Sequence, residues 1–294
     1  MKILLTGAGG QVGSALAQLG QLHGFDLVAL LRTELDVSNA LSIAEAFEKY
    51  KPDFVINAAA YTAVDKAEDE PDQAYLINEV AAALLSNACA KATIPLLHIS
   101  TDYVFDGLRS SPYSESDTVN PMTVYGKSKE AGERAVRSRL PHHIILRTSW
   151  VFSGTGTNFV KTILNIAKDR KELNVVADQF GGPSSAQSIA RAIFRIVSYY
   201  EMNIDAPWGT YHFSQTPFVS WYDFAKIIIK KATVKGLLEH PVKVFPIASS
   251  AYPTQVDRPK NSQLSCDLIE SYFPGMASSW KRDLDETLNL IMRG

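Results

Sequence analysis

Apolar residues in the first half of the chain follow two alternating patterns. Short apolar runs, typical of buried strands, occupy Ile3–Thr6, Leu27–Leu31, Phe54–Asn57, Leu96–Ser100 and Ile144–Thr148. Stretches with helical spacing or composition lie between them, at Val12–Leu22, Ile43–Tyr50, Ala74–Ala92 and Ser128–Ser138. Patterns that alternate in this way are typical of strand–helix units on a parallel sheet. We therefore predict an α/β fold with a doubly wound parallel sheet.

The pattern changes after Phe152, where a loop rich in Gly, Ser and Thr begins. The elements predicted beyond it are helices at Phe159–Lys168, Ser188–Tyr200, Trp221–Ala232 and Leu284–Met292, and a short strand at Leu173–Val176. Loops marked by proline separate these elements. We predict a first domain over residues 1–152 and a smaller lobe over residues 153–294, which can also return a strand and a helix to the first sheet.

Composition and charge narrow the class of protein. The 294 residues include 29 basic and 31 acidic side chains, and the net charge of −2 provides no field that would gather nucleic acid or an anionic membrane. Cys89 and Cys266 lie far apart, which argues against a disulfide framework or a zinc site. The apolar run at the start is too short for a signal peptide, and no run reaches the ~18 residues of a membrane span. We expect a cytoplasmic protein without nucleic-acid or membrane partners.

The first predicted strand runs directly into a glycine-rich turn that opens the first predicted helix. Glycines at 7, 10 and 13 permit a tight turn, close approach of a pyrophosphate to the backbone, and close packing of helix on strand. Such turns also serve as simple connections, but this one follows an N-terminal strand inside a strand–helix–strand unit. We predict a Rossmann-like dinucleotide-binding domain with cofactor contacts at Gly7, Gly10, Gln11, Val12 and Gly13.

Two further segments are candidates for the cofactor site. The third predicted strand ends in small side chains against which a planar ring could lie, at Ala58, Ala59, Ala60 and Tyr61. Asp36, followed by Val37, could accept a hydrogen bond from an adenine amino group. Two structural alternatives stay open here. The alanine run could serve simply for helix packing, and Asp36 or Ser38 could simply cap the next helix.

The end of the second predicted strand bears on the choice of cofactor. NAD-selective sheets place a carboxylate there, which binds the ribose hydroxyls and repels a 2′-phosphate. This chain has Arg32 and no acid at that point, which favours NADPH and leaves NADH open. The alternative is a solvated arginine that Glu34 neutralises.

The fourth predicted strand leads to Thr101, and a predicted helix one loop later carries Tyr125 and Lys129. A spacing of four places the tyrosine and the lysine on one helix face. The same spacing recurs at Tyr222 and Lys226, so spacing alone is weak. Context separates the two pairs, because only the first follows a sheet strand at the end where ligands of such sheets bind. We predict that Thr101, Tyr125 and Lys129 are catalytic and that Tyr222 has a packing role.

Reduction of a ketone needs a hydride from one side and a proton for the oxygen. A phenol with a pKa near 10 is a poor acid at neutral pH. An ammonium ~4 Å away at an effective dielectric of ~20 contributes about 4 kcal/mol, or roughly three pKa units. We therefore expect Lys129 to lower the pKa of Tyr125 and to bind cofactor together with it, and Thr101 to polarise the carbonyl.

These residues resemble the dTDP-4-dehydrorhamnose reductases, a family of extended short-chain dehydrogenases. The resemblance covers nearly the whole chain. It rests on the glycine turn, the catalytic segments and further motifs at residues 57–65, 147–151, 158–162, 178–181 and 258–262. The resemblance implies reduction of dTDP-4-dehydro-β-L-rhamnose at C4 by NADPH or NADH, in the biosynthesis of surface polysaccharide.

The resemblance also implies a substrate site. Its members are Thr101, Asp102, Trp150, Asn158 and Arg258. The guanidinium of Arg258 suits the pyrophosphate of the dTDP-sugar, although a surface ion pair is the alternative.

Some relatives hold magnesium between glutamates at a dimer interface. Ala15 and Leu290 stand at two of those positions here. We therefore expect no metal and leave a homodimer open.

Two other functions compete with the reductase. A nucleotide-sugar dehydratase or epimerase could share the fold, but dehydratases place an Asp-Glu pair after the threonine, and here Tyr103 follows Asp102. A non-catalytic cofactor-binding subunit, similar to the regulatory β subunit of methionine adenosyltransferase, is the second alternative. The intact Thr101, Tyr125 and Lys129 argue against it.

Overall fold

The computed structural model describes residues 1–22, 24–202 and 207–293. Its strands are β1 Lys2–Thr6, β2 Asp26–Ala29, β3 Phe54–Asn57, β4 Leu96–Thr101, β5 His143–Thr148, β6 Val151–Phe152, β7 Glu172–Val176, β8 Phe180–Gly181, β9 Ser184–Ser185, β10 Gly209–Phe213, β11 Val219–Ser220, β12 Lys243–Ile247 and β13 Asn261–Ser262. Its α-helices are α1 Gln11–Leu22, α2 Ala40–Tyr50, α3 Val64–Asp69, α4 Pro71–Tyr75, α5 Ala81–Ala92, α6 Val124–Arg139, α7 Phe159–Asp169, α8 Ala186–Met202, α9 Trp221–Val234, α10 Asp267–Tyr272 and α11 Trp280–Arg293.

The central sheet has six strands in the order β10-β5-β4-β3-β1-β2, and every neighbouring pair is parallel. The predicted doubly wound α/β fold is confirmed. Chain order reverses between β1 and β3, so the crevice for ligands of such a sheet lies beyond the carboxyl ends of these two strands. The glycine turn follows β1 and the alanine segment follows β3, which places both at this crevice.

Each face of the sheet has its own apolar core because successive strand residues point to opposite sides. On one face, Ile3 and Leu5 pack with residues of α1 and α8. On the other face, Leu4 and Val55 pack with residues of α2, α5 and α6. Burial on both faces explains why the strands read as continuous apolar runs.

The helices of the first half differ from prediction in two informative places. The helix predicted over Ala74–Ala92 is divided into α4, a π-helical turn at Leu76–Val80, and α5. The helix predicted from Ser128 begins earlier, at Val124, because the Thr123 side chain accepts a hydrogen bond from the Gly126 N–H and caps it. This earlier start brings Tyr125 into the first turn.

The second half of the chain returns to the central sheet. Strand β10 pairs with β5, and α8 packs on α1. A separate apolar core also forms around Phe152, Phe224, Trp280 and Leu284, next to the parallel pair β7 and β12. The division of the chain near residue 152 stays a prediction.

Two further observations concern the chain as a whole. No helix in the described ranges has both the length and the apolar character that a membrane span requires. Cys89 and Cys266 are both free thiols, and burial raises the pKa of Cys89 to about 12.

Candidate active site

The turn after β1 has the close packing that a dinucleotide site requires. Gly7 has a φ of +69°, and a side chain there would place its Cβ 2.5 Å from the Ala59 nitrogen. A Cβ at Gly13 would lie 2.0 Å from the Gly7 carbonyl oxygen. Only glycine fits at these positions, so the backbone stays open to a ligand at the start of α1.

A cleft of about 400 Å³ opens beside this turn. Its lining includes nine of the predicted cofactor residues: Gly7, Gly10, Arg32, Asp36, Val37, Ala58, Ala59, Ala60 and Tyr61. Leu35, Glu70, Gln73 and Ile77 also line it and were not predicted. The Tyr61 hydroxyl donates to Glu70 at 2.7 Å, which fixes the ring at one wall. The shape and lining of the cleft fit an adenine nucleotide.

Asp36 and Arg32 both line the cleft. The backbone N–H and the hydroxyl of Ser38 both donate to Asp36, and with Arg32 they lower the pKa of its carboxyl. Neither Asp36 nor Ser38 caps α2; the cap is Asn39, whose side chain accepts from the first turn. That alternative is therefore wrong, and Asp36 keeps carboxylate oxygen available to the cleft.

Arg32 is exposed, and it pairs with no carboxylate within the part of the chain that the structure describes. Glu34 does not neutralise it through an ion pair, because Glu34 Oε2 accepts a hydrogen bond from the Leu31 N–H at 2.9 Å. The guanidinium therefore faces the cleft without a protein anion in contact.

Gln11 joins the glycine turn to the loop after β6. Its Oε1 accepts from the Ser153 hydroxyl at 2.9 Å and from Asn158 Nδ2 at 3.0 Å. Asn158 also caps α7, because its Oδ1 accepts from the Lys161 N–H. Both polar atoms of Asn158 are thus engaged within the protein. This geometry favours a structural role for Asn158, and its predicted contact with substrate stays a prediction.

Thr101 and Tyr125 meet beyond the carboxyl end of β4. Tyr125 is 9% exposed, and its ring packs edge-on against Tyr103 with centroids 5.4 Å apart. The Thr101 hydroxyl lies beside the Tyr125 hydroxyl and lowers its pKa. In the structure, the Thr101 hydroxyl donates to Asp102 Oδ1 at 3.0 Å. The structure therefore brings Thr101 and Tyr125 together, with Lys129 one turn further along α6. The three residues do not line the cleft themselves; Tyr61, which does, packs in the same apolar cluster as Tyr125.

The pKa values of the pair differ from what spacing alone predicts. Burial raises the pKa of Tyr125 to about 12, and the negative charge of Asp102 adds to this rise. Burial lowers the pKa of Lys129 to about 8, while Glu133 opposes the fall. The expectation that Lys129 lowers the pKa of Tyr125 is not met in the structure. The physical reason is that Lys129 Nζ contacts the Ile99 carbonyl oxygen and His98, while desolvation of the phenol outweighs its hydrogen bond with Thr101.

The Lys129 side chain contacts two groups on β4 that were not predicted from the sequence, the Ile99 carbonyl and His98. Its Nζ donates to the Ile99 carbonyl oxygen at 2.7 Å and lies 3.4 Å from Nε2 of His98. His98 in turn contacts Asn57 at the end of β3. No sequence pattern links these residues, since Asn57 lies on β3, His98 and Ile99 lie on β4, and Lys129 lies on α6.

The π-helical turn supplies a second missed residue, Asn78. Its Oδ1 accepts from the Tyr61 N–H at 2.9 Å, and its Nδ2 donates to the Tyr61 carbonyl oxygen and to the Ser128 hydroxyl. Gly132 lets α6 approach this turn, since a Cβ there would lie 2.1 Å from the Asn78 carbonyl oxygen. Asn78 thus ties the cofactor wall to the catalytic helix, and π-turns are frequent at functional sites.

Comparison with known proteins places this geometry in a family. A family model described as "RmlD substrate binding domain" matches residues 1–292. The chain belongs to the RmlD family. It is 44% identical to a dTDP-4-dehydrorhamnose reductase of Aggregatibacter actinomycetemcomitans over 96% of this chain and 97% of that protein.

Solved structures of the same family share the whole fold. A dTDP-4-dehydrorhamnose reductase of Clostridium acetobutylicum has a TM-score of 0.91 and 37% identity, over 99% of this chain and 100% of that chain. The reductase of Bacillus anthracis, solved in complex with NADP, has a TM-score of 0.88 and 33% identity, over 98% and 99% of the two chains.

On the substrate side, the RmlD-family chain has three buried polar atoms without a hydrogen-bond partner in the described ranges. They are Asp65 Oδ1, Asp102 Oδ2 and Arg258 Nε. Asp65, Asp102 and Arg258 all act on the pKa of Tyr103, which places them in one neighbourhood. Arg258 also donates to Asp65 Oδ2 at 2.8 Å, so the predicted pyrophosphate ligand forms an ion pair here.

Trp150 lies between β5 and β6 in an unusual backbone conformation. Its φ is +47°, and its ring stacks on Trp221 with centroids 3.3 Å apart. A Cβ on Gly181 would lie 2.4 Å from the Trp150 ring, so glycine is needed opposite it. An uncommon φ at a residue predicted to contact substrate is consistent with a site in which side-chain direction is fixed.

Burial also defines the state of Asp102 itself. The side chain is 4% exposed, and desolvation raises the pKa of its carboxyl to about 6, although the nearby hydroxyls of Ser262 and Thr101 oppose the rise. The carboxyl therefore titrates within two units of neutrality, with one oxygen left for a partner.

Proposed function

We propose that the chain is an NADPH-dependent reductase that converts dTDP-4-dehydro-β-L-rhamnose to dTDP-β-L-rhamnose by reduction at C4. The observation that carries the proposal is that the Thr101 and Tyr125 hydroxyls meet, with Lys129 one turn along α6, beside Tyr61 of the cleft lining. The names of the 44% identical relative and of the two solved structures supply the substrate. The product would serve surface polysaccharide biosynthesis.

The cleft residues fit the cofactor in three ways. The free N–H groups at the start of α1 suit its pyrophosphate, and Asp36 and Val37 lie where the adenine would bind. Arg32 suits the 2′-phosphate of NADPH, while the lack of an acid at the end of β2 leaves NADH able to bind. When bound, the cofactor supplies a hydride to the substrate carbonyl.

The side chains around the carbonyl complete the reduction. Tyr125 donates its phenolic proton to the oxygen as the hydride adds to carbon. The hydroxyl of Thr101 rotates from Asp102 towards the same oxygen and stabilises its developing negative charge. Lys129, one turn along α6 from Tyr125, offers a hydrogen-bond donor for the cofactor ribose.

Two of the unpartnered atoms beside Tyr103 belong to side chains that suit the substrate, Asp102 and Arg258. Asp102 Oδ2 can accept a hydrogen bond from a sugar hydroxyl. Arg258 can exchange Asp65 for the pyrophosphate, whose oxygens suit a guanidinium better than a single half-exposed carboxylate does. Trp150 offers an apolar wall to the sugar.

One experiment tests the proposed reaction. Purified protein is mixed with dTDP-4-dehydro-β-L-rhamnose and NADPH, and the loss of reduced-nicotinamide absorbance is followed together with the sugar product. We expect stoichiometric oxidation and formation of dTDP-β-L-rhamnose. No oxidation above the enzyme-free control would refute the proposal. Turnover on retained NAD would instead indicate a dehydratase or epimerase, and bound cofactor without turnover would indicate a regulatory subunit.

The setting of the enzyme follows from its chemistry. The two free thiols fit the reducing cytoplasm, which is the compartment that we propose. A homodimer stays a prediction.

A further inference from the structure

A buried histidine lies beneath Lys129, and the reaction described above does not use it. His98 is 1% exposed and lies in the middle of β4. Its Nδ1 is 2.9 Å from Asn57 Nδ2, and its Nε2 is 3.4 Å from Lys129 Nζ. The ring therefore connects the end of β3 with the catalytic helix.

The hydrogen bonds around Asn57 determine which ring nitrogen of His98 carries the proton. Asn57 Oδ1 accepts from the Ala59 N–H at 3.1 Å and from the Thr6 hydroxyl at 2.7 Å. A backbone N–H can only donate, so this atom is the amide oxygen and the other is the NH₂ group. Asn57 Nδ2 therefore donates to His98 Nδ1. The proton of the neutral ring must lie on Nε2, which faces Lys129.

An N–H that faces a lysine nitrogen is unfavourable when the lysine is charged. An ammonium has three donors and no lone pair, whereas a neutral amine can accept a hydrogen bond. Lys129 already donates one hydrogen to the Ile99 carbonyl oxygen. The Nε2–H of His98 is therefore better matched to the amine than to the ammonium, and it assists the loss of a proton from Lys129.

The second buried histidine beside a cation has the opposite arrangement. His212 Nδ1 lies 3.1 Å from the Tyr113 carbonyl oxygen, so Nδ1 carries the proton. Its Nε2 lone pair then faces Arg147 NH1 at 3.4 Å, which is the matched arrangement for a permanent cation. Arg147 is paired with buried Glu133 and belongs to the structural interior. The mismatch is thus found at the lysine of the active site.

Burial is the main cause of the low pKa of Lys129, and the charged groups near it do not add to the fall. Glu133, one turn along α6, raises the pKa of Lys129, but it is already paired with Arg147 and Arg137. Across β4, His98 is neutral because burial and Lys129 lower its pKa well below the ordinary value, and His143 acts in the same direction. The pKa of Lys129 at about 8, below that of Tyr125 at about 12, lets a tyrosinate regain a proton at the expense of Lys129.

We propose that Asn57 and His98 are positioning residues for the reduction. Asn57 fixes the His98 ring so that its Nε2–H faces the Lys129 nitrogen, and Lys129 therefore gives up a proton readily after Tyr125 has donated one to the substrate. The inference rests on the proposed function for its role in turnover. The arrangement itself is independent of turnover, because it can be measured in the protein alone.

The first test is the tautomer of His98 in the free protein. Nitrogen NMR of the ¹⁵N-histidine protein distinguishes a ring with its proton on Nε2 from one with its proton on Nδ1, and a His98→Gln variant assigns the signal. We expect Nε2–H for His98 and Nδ1–H for His212, which is the reference in the same spectrum. An Nδ1–H tautomer at His98 in the unaltered protein overturns the proposal, even if no variant folds.

The second test reverses the tautomer. In Asn57→Asp, a carboxylate of nearly the same shape replaces the amide. It accepts hydrogen bonds from Thr6 and Ala59 as before, and it also accepts one from the Nδ1–H of His98. The Nε2 lone pair then faces Lys129 and stabilises the ammonium. We expect the titration of the Lys129 side chain, followed by carbon NMR, to move to higher pH by about one unit, a tenfold change in proton affinity.

The kinetic consequence separates this inference from the function on which it rests. The fall of kcat at high pH, which reflects loss of the Lys129 proton, should move to higher pH in Asn57→Asp together with the NMR titration. A reversed tautomer with an unmoved Lys129 titration and an unmoved pH profile overturns the positioning role. An unaltered protein that does not reduce the dTDP-sugar defeats the proposed function, while the tautomer and the Lys129 titration still decide the arrangement.

Discussion

Two pairs of residues in this chain have the same sequence spacing and different surroundings. Tyr125 is 9% exposed and Lys129 is 2% exposed, and burial shifts the pKa of both. Tyr222 is partly exposed, and Lys226 is exposed with its Nζ 5.0 Å from the centre of the Tyr222 ring. The first pair lies at the carboxyl end of a parallel sheet beside a cleft, and the second packs on the outer part of α9. Chemistry therefore follows from the burial that the fold imposes, because a spacing of four fixes only the helix face.

The largest expected difference between the pairs comes from removing the phenol. Tyr125→Phe keeps the ring packed against Tyr103 and deletes the proton that the carbonyl oxygen requires. General acid catalysis contributes about 10²- to 10⁴-fold, so kcat should fall by that factor while NADPH still binds. Tyr222→Phe is the matched control and should leave kcat almost unchanged. Steady-state assays of both variants decide the comparison, and equal effects would show that Tyr125 has no special role.

The next largest difference is expected between substitutions of the two lysines. Lys129→Met removes the charge and keeps most of the stem, and loss of a charge-assisted hydrogen bond is worth about 1.5 to 3 kcal/mol, or roughly 10- to 100-fold. We expect kcat to drop by that order and NADPH to bind more weakly. Lys226→Met should change neither quantity, because its Nζ lies only over an aromatic ring. A Lys129 variant that loses thermal stability alone would be evidence for a purely structural lysine.

Much of this contrast could be predicted from the sequence, for definable reasons. Strand β3 matches its predicted span of Phe54–Asn57, since a continuous apolar run follows a proline and an acid and ends in small residues. Gly7 and Gly13, where a Cβ would meet backbone atoms, both lie in the predicted motif. The cleft residues after β1 and β3 could be predicted together because the carboxyl ends of parallel strands lie at one edge of the sheet.

Other parts depended on contacts that no local pattern encodes. Strand β10 was not predicted as a separate element because its polar His212 is buried only through partners such as Tyr113 and Arg147. The π-turn around Asn78 has the same helical spacing as its neighbours, so periodicity cannot reveal it. The pKa of Tyr125 was expected to fall because a charge was assumed within contact, whereas burial decides its direction.

Asp102, the buried carboxyl next to the first pair, should also carry a cost in stability that depends on pH. Its pKa of about 6, raised by burial from 3.8, means that the folded protein binds the proton more tightly than the unfolded chain does. Stability is therefore lost as pH rises from about 4 to about 6, by about 3 kcal/mol for a shift of two units. Asp102→Asn should remove this loss and raise the thermal midpoint at pH 8, while kcat/KM falls.

The control for this prediction is the same variant at pH 4, where the carboxyl is protonated in the folded protein. The gain in thermal midpoint should there be much smaller than at pH 8. A gain that is equal at the two pH values would mean that the charge of Asp102 has no part in it.

The smallest expected effect concerns the cleft that distinguishes the first pair from the second. If Arg32 binds the 2′-phosphate, Arg32→Ala should lower kcat/KM for NADPH by roughly 10-fold, towards the low end of the range for a charge-assisted contact, because its side chain is exposed and screened by solvent. Values for NADH should change little, since that cofactor has only a ribose hydroxyl at this point. The matched control is Arg282→Ala, which removes an 87% exposed guanidinium that pairs with Glu286 outside the cleft. A loss with NADPH that is no larger than the loss with NADH would indicate that Arg32 does not bind the phosphate, and the choice of cofactor would then rest on the absence of an acid after β2.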